Sequence, residues 1–222
     1  MGTLFFRFDP LAVEIARKLD SMTCPTEHLY AAMMDKLKCE GLDNRSASRV
    51  DSLFAILAEK NLKKYEELPL NHPIRVAALW WDISQRKEYE TVALGLCHNL
   101  HEAGDNSLIE VEQEFLSLIS RSAIAAQSID RSKERDPAYL GRFYDNLNAN
   151  ADSLILKGCD KLDNFLSYGL YDLDPYYFMV LDEFVSPRLN QRHPKLAAYL
   201  QMVADHVRTD EAKTWARRRK SR

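Results

Sequence analysis

Histidine occurs only 6 times in 222 residues, at positions 28, 72, 98, 101, 193 and 206. Two of the six sit in strongly apolar surroundings. His72 lies in Leu68-Pro-Leu-Asn-His-Pro-Ile-Arg-Val-Ala, and His98 follows Val92-Ala-Leu-Gly-Leu-Cys. Further on, the run Leu154-Ile-Leu-Lys-Gly-Cys leads directly into Asp160. A carboxylate there needs a partner, because an unpaired buried charge loses its water at a cost of several kcal/mol. Imidazoles and carboxylates together are the donor types that hold a borderline or hard divalent ion such as Mn²⁺. A lone histidine on an apolar helix is more often a hydrogen-bonded core residue than a ligand, so the case depends on several features coinciding.

Three stretches supply the coincidence. Asn71-His-Pro-Ile-Arg-Val-Ala, Leu96-Cys-His-Asn-Leu-His-Glu and Lys157-Gly-Cys-Asp-Lys-Leu-Asp-Asn resemble the three signature segments of the HD superfamily of metal-dependent phosphohydrolases. Within it they are most similar to the RelA/SpoT-type domains that hydrolyse guanosine tetra- and pentaphosphate. The separations, 26 residues from position 72 to 98 and 62 from 98 to 160, are similar to that group's. The resemblance covers roughly residues 50 to 205.

It implies an all-α helical bundle in which His72, His98, Asn99 and Asp160 are the metal positions, with Mn²⁺ as the ion. It further implies that Glu102, one helical turn beyond His98, orients or deprotonates the attacking water. Lys157 and Lys161 would hold phosphate, and Asn164 matches the family's asparagine beside the substrate. The substrate would be a nucleotide or an alarmone-like phosphate ester.

The chain also departs from the pattern. His98-Asn99 stands where the family has His-Asp, and an amide offers an oxygen without a charge, which weakens an ion site. Glu102-Ala103 replaces Glu-Asp, and the basic stretch before the first histidine is reduced to Lys63-Lys64-Tyr65. Asp105 would share a helical face with His98, but Gly104 should break the helix first. Two readings therefore stand: a metal-dependent phosphohydrolase, and a degenerate domain that binds a nucleotide or protein without turning it over, its metal lost with the acid at position 99.

The elements that must position these residues are helical. With 7 glycines and no sustained apolar/polar alternation, nothing supports a sheet, while helix punctuation recurs. Asp9-Pro10 opens one helix, and Pro25 opens a second that Gly41 ends. Further helices are expected from Ser46 to about Asn61, from His72 to Ile83, and from Glu88 to Ala103. A capped helix runs from Asn106 or Ser107 to about Ile119, and a shorter one from Ala123 to Ile129. Asp136-Pro137 opens a long segment to Tyr168 with a break near Asn148 to Asp152. Asp174-Pro175 opens the helix bearing Phe178, Met179 and Phe184, and Pro194 opens the last. Residues 1–45 are expected to form an N-terminal helical cap, 46–210 the HD-type domain, and 211–222 a basic tail.

Composition bounds the rest. Hydrophobic residues at 46% and charged ones at 28% describe a globular chain. A formal charge of −3 does not by itself argue for a nucleic-acid partner, so that a basic site would have to be local and nucleic acid is not the expected partner. No apolar run reaches the roughly 18 residues that cross a bilayer, and no signal-type segment opens the chain, so a cytoplasmic protein is expected. Cys24, Cys39, Cys97 and Cys159 show no metal-binding spacing and read as reduced thiols. Trp80-Trp81 and Tyr176-Tyr177 invite a base-stacking reading, with burial in the core the stronger alternative. Lys161 could equally pair with Asp160 or Asp163. The terminal Arg217-Arg-Arg-Lys-Ser-Arg reads first as a solvated helix end, with RNA, an anionic membrane or an acidic partner as the alternative.

Overall fold

The computed structural model describes residues 4–59, 68, 70–100, 107–167 and 175–209, the side chains of 107–109 excepted. Among these residues every regular element is helical and none is a strand. None of the helices is long and apolar enough to cross a membrane. The chain divides into two compact units, one of residues 1–7 and 17–128 and one of residues 8–16 and 129–222.

The first unit takes the end of α1 (Leu11–Thr23) together with α2 (Thr26–Cys39), α3 (Asn44–Glu59), α4 (Asn71–Ser84), α5 (Tyr89–Cys97), α6 (Ser107–Phe115) and α7 (Leu118–Gln127). Helix α2 ends as its glycine predicts. Gly41 takes a left-handed φ of 112°, and Leu42 N–H reaches Leu37 O while Gly41 N–H reaches Lys38 O, the paired bonds of a Schellman turn. Helix α3 starts earlier than its serine suggests. Asp43 Oδ1 accepts from the backbone of Arg45 and Ser46, so Asp43 and not Ser46 sets the start.

Helix α4 is the centre of this unit, buried along nearly its whole length, with α2 and α5 against it. Trp80 and Trp81 are core residues at 1% and 0% exposure, and Trp81 Nε1 donates to Glu40 Oε2. The approach of α4 to α5 depends on a glycine. A Cβ on Gly95 would lie 2.5 Å from Ala77 Cα, a backbone atom that cannot turn aside. Gly95→Ala is therefore expected to destabilise the protein by about 1–3 kcal/mol through overpacking, read as a lower urea midpoint at unchanged slope. Ala77→Gly in the same chain should recover part of the loss, and an unchanged midpoint in the single variant would contradict the close contact.

Two expected helix ends move. The helix expected to run from Glu88 to Ala103 stops at Cys97, with His98 and Asn99 in the turn beyond it. The helix expected to reach Ile119 stops at Phe115. There Ser117 Oγ accepts from Ser120 N–H and caps α7, while Glu90 accepts from the Ser120 hydroxyl at 2.6 Å. Leu118 and Ile119 consequently stand 71% and 77% exposed on the first turn of α7 instead of inside the preceding helix.

The second unit holds the first turns of α1 and the helices α8 (Pro137–Ala149), α9 (Ala151–Leu166), α10 (Pro175–Val180), α11 (Ser186–Arg192) and α12 (Pro194–Val207). Asp136 caps α8, with Pro137 at its first position. The expected break in the long segment falls at Asn150, whose Oδ1 accepts from Asp152 and Ser153 N–H and starts α9. Between α10 and α11 the backbone widens into a π turn over Leu181–Val185. Pro187 explains it: with no N–H and a ring that crowds the carbonyl four residues back, it cannot extend an ordinary helix. Helix α9 packs against α8, α11 and α12, and this buries Leu154, Leu156, Leu162 and Phe165.

Candidate metal centre

His98 is fixed by the end of its own helix. Its Nδ1 lies 2.6 Å from Gly95 O. A carbonyl oxygen can only accept, so Nδ1 carries a proton, and in the neutral form of the ring this leaves the lone pair at Nε2. The same bond explains why α5 stops: the imidazole claims the carbonyl that Asn99 N–H would use if the helix continued. His98 is 3% exposed. Behind it the Cys97 thiol is fully enclosed, and burial, aided by Glu112 and Glu90, pushes its pKa far up, so this sulfur is an inert packing group.

His72 occupies the first turn of α4, also 3% exposed. Its placement is set by Asn71, which is wholly buried and joined to the α1–α2 corner. Asn71 Nδ2 donates to Ser21 O and Cys24 O, and its Oδ1 accepts from Thr26 Oγ1. The preceding Leu70, in a left-handed conformation with φ 67°, turns the chain into this position. Asn71→Ala would leave the buried Ser21 carbonyl, the part-buried Cys24 carbonyl and the Thr26 hydroxyl without their asparagine partner. We expect it to cost about 1–3 kcal/mol and to loosen His72. A thermal melt measures the first effect and the His72 ring resonances the second; wild-type values for both would remove Asn71 from this role.

The two rings meet. His72 Nε2 and His98 Nε2 lie 3.2 Å apart, with ring centroids 5.1 Å apart and planes at 62°. Nitrogens this close either share a proton or converge on one cation. Two imidazoles bound to a common ion at about 2.1 Å, at roughly tetrahedral to right angles, hold their nitrogens about 3–3.4 Å apart, so the observed separation suits a shared ion.

Asp160 is 3% exposed on α9 and is held on both oxygens. Asn164 Nδ2 donates to Oδ1 at 2.8 Å, and Lys157 Nζ lies 3.1 Å from Oδ2. Lys157, itself only 6% exposed, is thus an ion-pair partner of Asp160. Lys161 sits over the Tyr177 ring, 4.4 Å from its centre. Asp163 is buried as well. Tyr176 is half-buried; Arg135 covers its ring and its hydroxyl donates to Glu134 O.

Among the described residues, His72, His98 and Asp160 form a group able to hold a metal ion. Each offers one ligand atom, and these atoms lie within 4.8 Å of one another. Two neutral imidazoles and a carboxylate are a donor set suited to a borderline divalent cation. Asn99 adds a further observation. Both its amide oxygen and its amide nitrogen are buried with no hydrogen-bond partner among the described residues, an arrangement that costs about 1–3 kcal/mol per group in a native interior. Glu102, the expected catalytic residue, lies outside the described residues, as do His101, Ala103, Asp105, Lys63, Lys64 and the tail from 210 onward.

Asn71 and Gly95 are positioning residues that the sequence alone did not single out. An asparagine directly before His-Pro at a helix start was the available sign for the first. The second had none, since a glycine three residues before a histidine is informative only once the ring is seen to turn back onto its carbonyl. No family model, curated protein or solved structure matches the chain.

Proposed function

We propose that this chain is a divalent-metal-dependent phosphohydrolase of the HD type, acting on a nucleotide or a related phosphate ester. The observation that carries the reading is the grouping of His72, His98 and Asp160. Their three local stretches are also the ones that resemble the family's signature segments.

Both imidazoles and the Asp160 carboxylate would hold the ion, Mn²⁺ by preference, which when bound supplies charge neutralisation at phosphorus and acidifies water. The chain's own residues do the rest. Gly95 O fixes the tautomer of His98, and Asn164 fixes the carboxylate plane of Asp160. Glu102 takes the proton of the attacking water, and Lys157 or Lys161 binds the phosphate. The four cysteines are free thiols, which supports a reducing compartment such as the cytoplasm.

A second reading, a domain that binds a nucleotide or protein without hydrolysis, is favoured by one specific observation: Asn99 brings no charge to the centre. Metal analysis of protein purified without chelator, followed by a phosphate-release screen with Mn²⁺ over nucleotides including guanosine tetraphosphate, separates the two. Bound transition metal and turnover that disappears in His98→Ala support the hydrolase. Absence of metal with retained nucleotide binding supports the second reading.

A further inference from the structure

We propose that Lys157 couples the binding of a divalent ion at this centre to the binding of an oxyanion of the phosphate class, so that each strengthens the other. The inference rests on the metal-centre reading, and a buried ion pair carries it. Lys157 Nζ is 3.1 Å from Asp160 Oδ2, on the same helix three residues away, and both side chains are withdrawn from water at 8% and 4% exposure. The carboxylate that an ion requires is therefore already matched by a cation of the protein.

Charge sets the terms on which an ion can enter. The imidazoles must be neutral to act as ligands, and Asn99 contributes none, so Asp160 is the one anionic member of the proposed donor set. An ion that takes Asp160 shares the carboxylate with an ammonium a few ångströms away. Within a poorly solvated site that repulsion opposes loading. It also draws away from Lys157 part of the carboxylate it pairs with, while the ammonium stays buried.

An oxyanion relieves both difficulties, accepting from the Lys157 ammonium and offering an oxygen to the ion. Two ligands that each remove the other's electrostatic penalty bind with positive coupling, and the coupling is reciprocal. Once an ion is bound, an acid at position 99 would have offset the lysine with no further ligand. With asparagine there, the anion takes over that task.

The experiment is a calorimetric titration of the full chain with Mn²⁺, in chloride buffer and again with inorganic phosphate, on the wild type, Lys157→Met and Lys157→Arg. In the wild type, phosphate should tighten Mn²⁺ binding about tenfold, and Mn²⁺ should tighten phosphate binding by the same factor. Lys157→Met should bind Mn²⁺ alone about tenfold more tightly than the wild type, with the phosphate effect gone, because the competing charge has been removed. Lys157→Arg keeps the charge and should keep the coupling. If Lys157→Met does not fold, Lys157→Gln, which removes the charge and keeps a polar end, takes its place with the same expected result.

Mn²⁺ binding that is lost in His98→Ala, yet is indifferent to phosphate and to residue 157, overturns the coupling and leaves the metal centre standing. No Mn²⁺ bound by the wild type under either condition overturns both.

Discussion

Replacing His98 with alanine is expected to lower the affinity for Mn²⁺ at least a hundredfold while leaving the helical circular dichroism of the chain in place. The magnitude comes from the role of the ring. Removing a group that merely orients a ligand costs about 10–100-fold in metal affinity, so removing a ligand itself costs at least as much. The fold survives because the imidazole hangs from the end of α5 and bonds there to Gly95 O, an acceptor that the Asn99 N–H, four residues on, is placed to use once the ring is gone. The truncation of a buried side chain should still cost about 1–2 kcal/mol of stability. His72→Ala should behave in the same way, since the two Nε2 atoms face one another at 3.2 Å. The measurement is metal retained after dialysis against a weak chelator. If His98→Ala keeps as much ion as the wild type, the pair of rings is only a buried hydrogen bond and the site is wrongly placed.

The members of the candidate cluster, His72, His98 and Asp160, were legible in the sequence to different degrees. His72 was readable because proline comes after it, which fixes a helix start, and because the next residues are largely apolar; the structure puts it in the first turn of a buried helix. Asp160 was readable because a hydrophobic run on a helix leaves the carboxylate no exposed face, and Asn164, one turn on, supplies its hydrogen bond. His98 was found but misplaced within its element. Periodicity sees Val92 to Leu100 as one apolar helix, and it has no means of knowing that an imidazole will compete for the Gly95 carbonyl and end the helix at Cys97. A side-chain to main-chain bond three residues long decided that boundary, against a propensity that favoured continuation.

The same limit explains the other differences in the fold. Breaks with a strong local capping residue, such as Asn150, were readable. The stop at Phe115 was not, because Ser117 is fixed partly by Glu90, 27 residues away. The wide turn over Leu181–Val185 was not read from the sequence, where Phe184 counts as part of the helix opened by Pro175; Pro187 marks the spot, yet a proline signals disruption without saying whether the helix kinks, breaks or widens. Lys157 is the instructive case for function. A lysine three residues before Asp160 reads as a phosphate ligand in the resemblance and as a counter-ion in the structure, and only the distance to Asp160 brings out the second role.

Asn99→Asp should tighten Mn²⁺ binding by about ten- to a hundredfold, and at the same time make the ion-free protein less stable than the wild type. The two effects have one origin. The amide atoms of Asn99 are buried and find no hydrogen-bond partner among the described residues. A carboxylate in that place brings a full charge into surroundings that already tolerate an uncharged group poorly. Without an ion the added charge is uncompensated, and the cost appears as a lower melting temperature. With an ion the charge is matched, and binding to the folded state alone returns stability in proportion to occupancy, about 2.7 kcal/mol at a concentration one hundred times the dissociation constant. Thermal melts of both chains over a Mn²⁺ series therefore give curves that cross: the variant starts lower, rises more steeply, and ends above the wild type. Parallel curves would mean that residue 99 does not meet the ion, and the ligand set would then end at His72, His98 and Asp160.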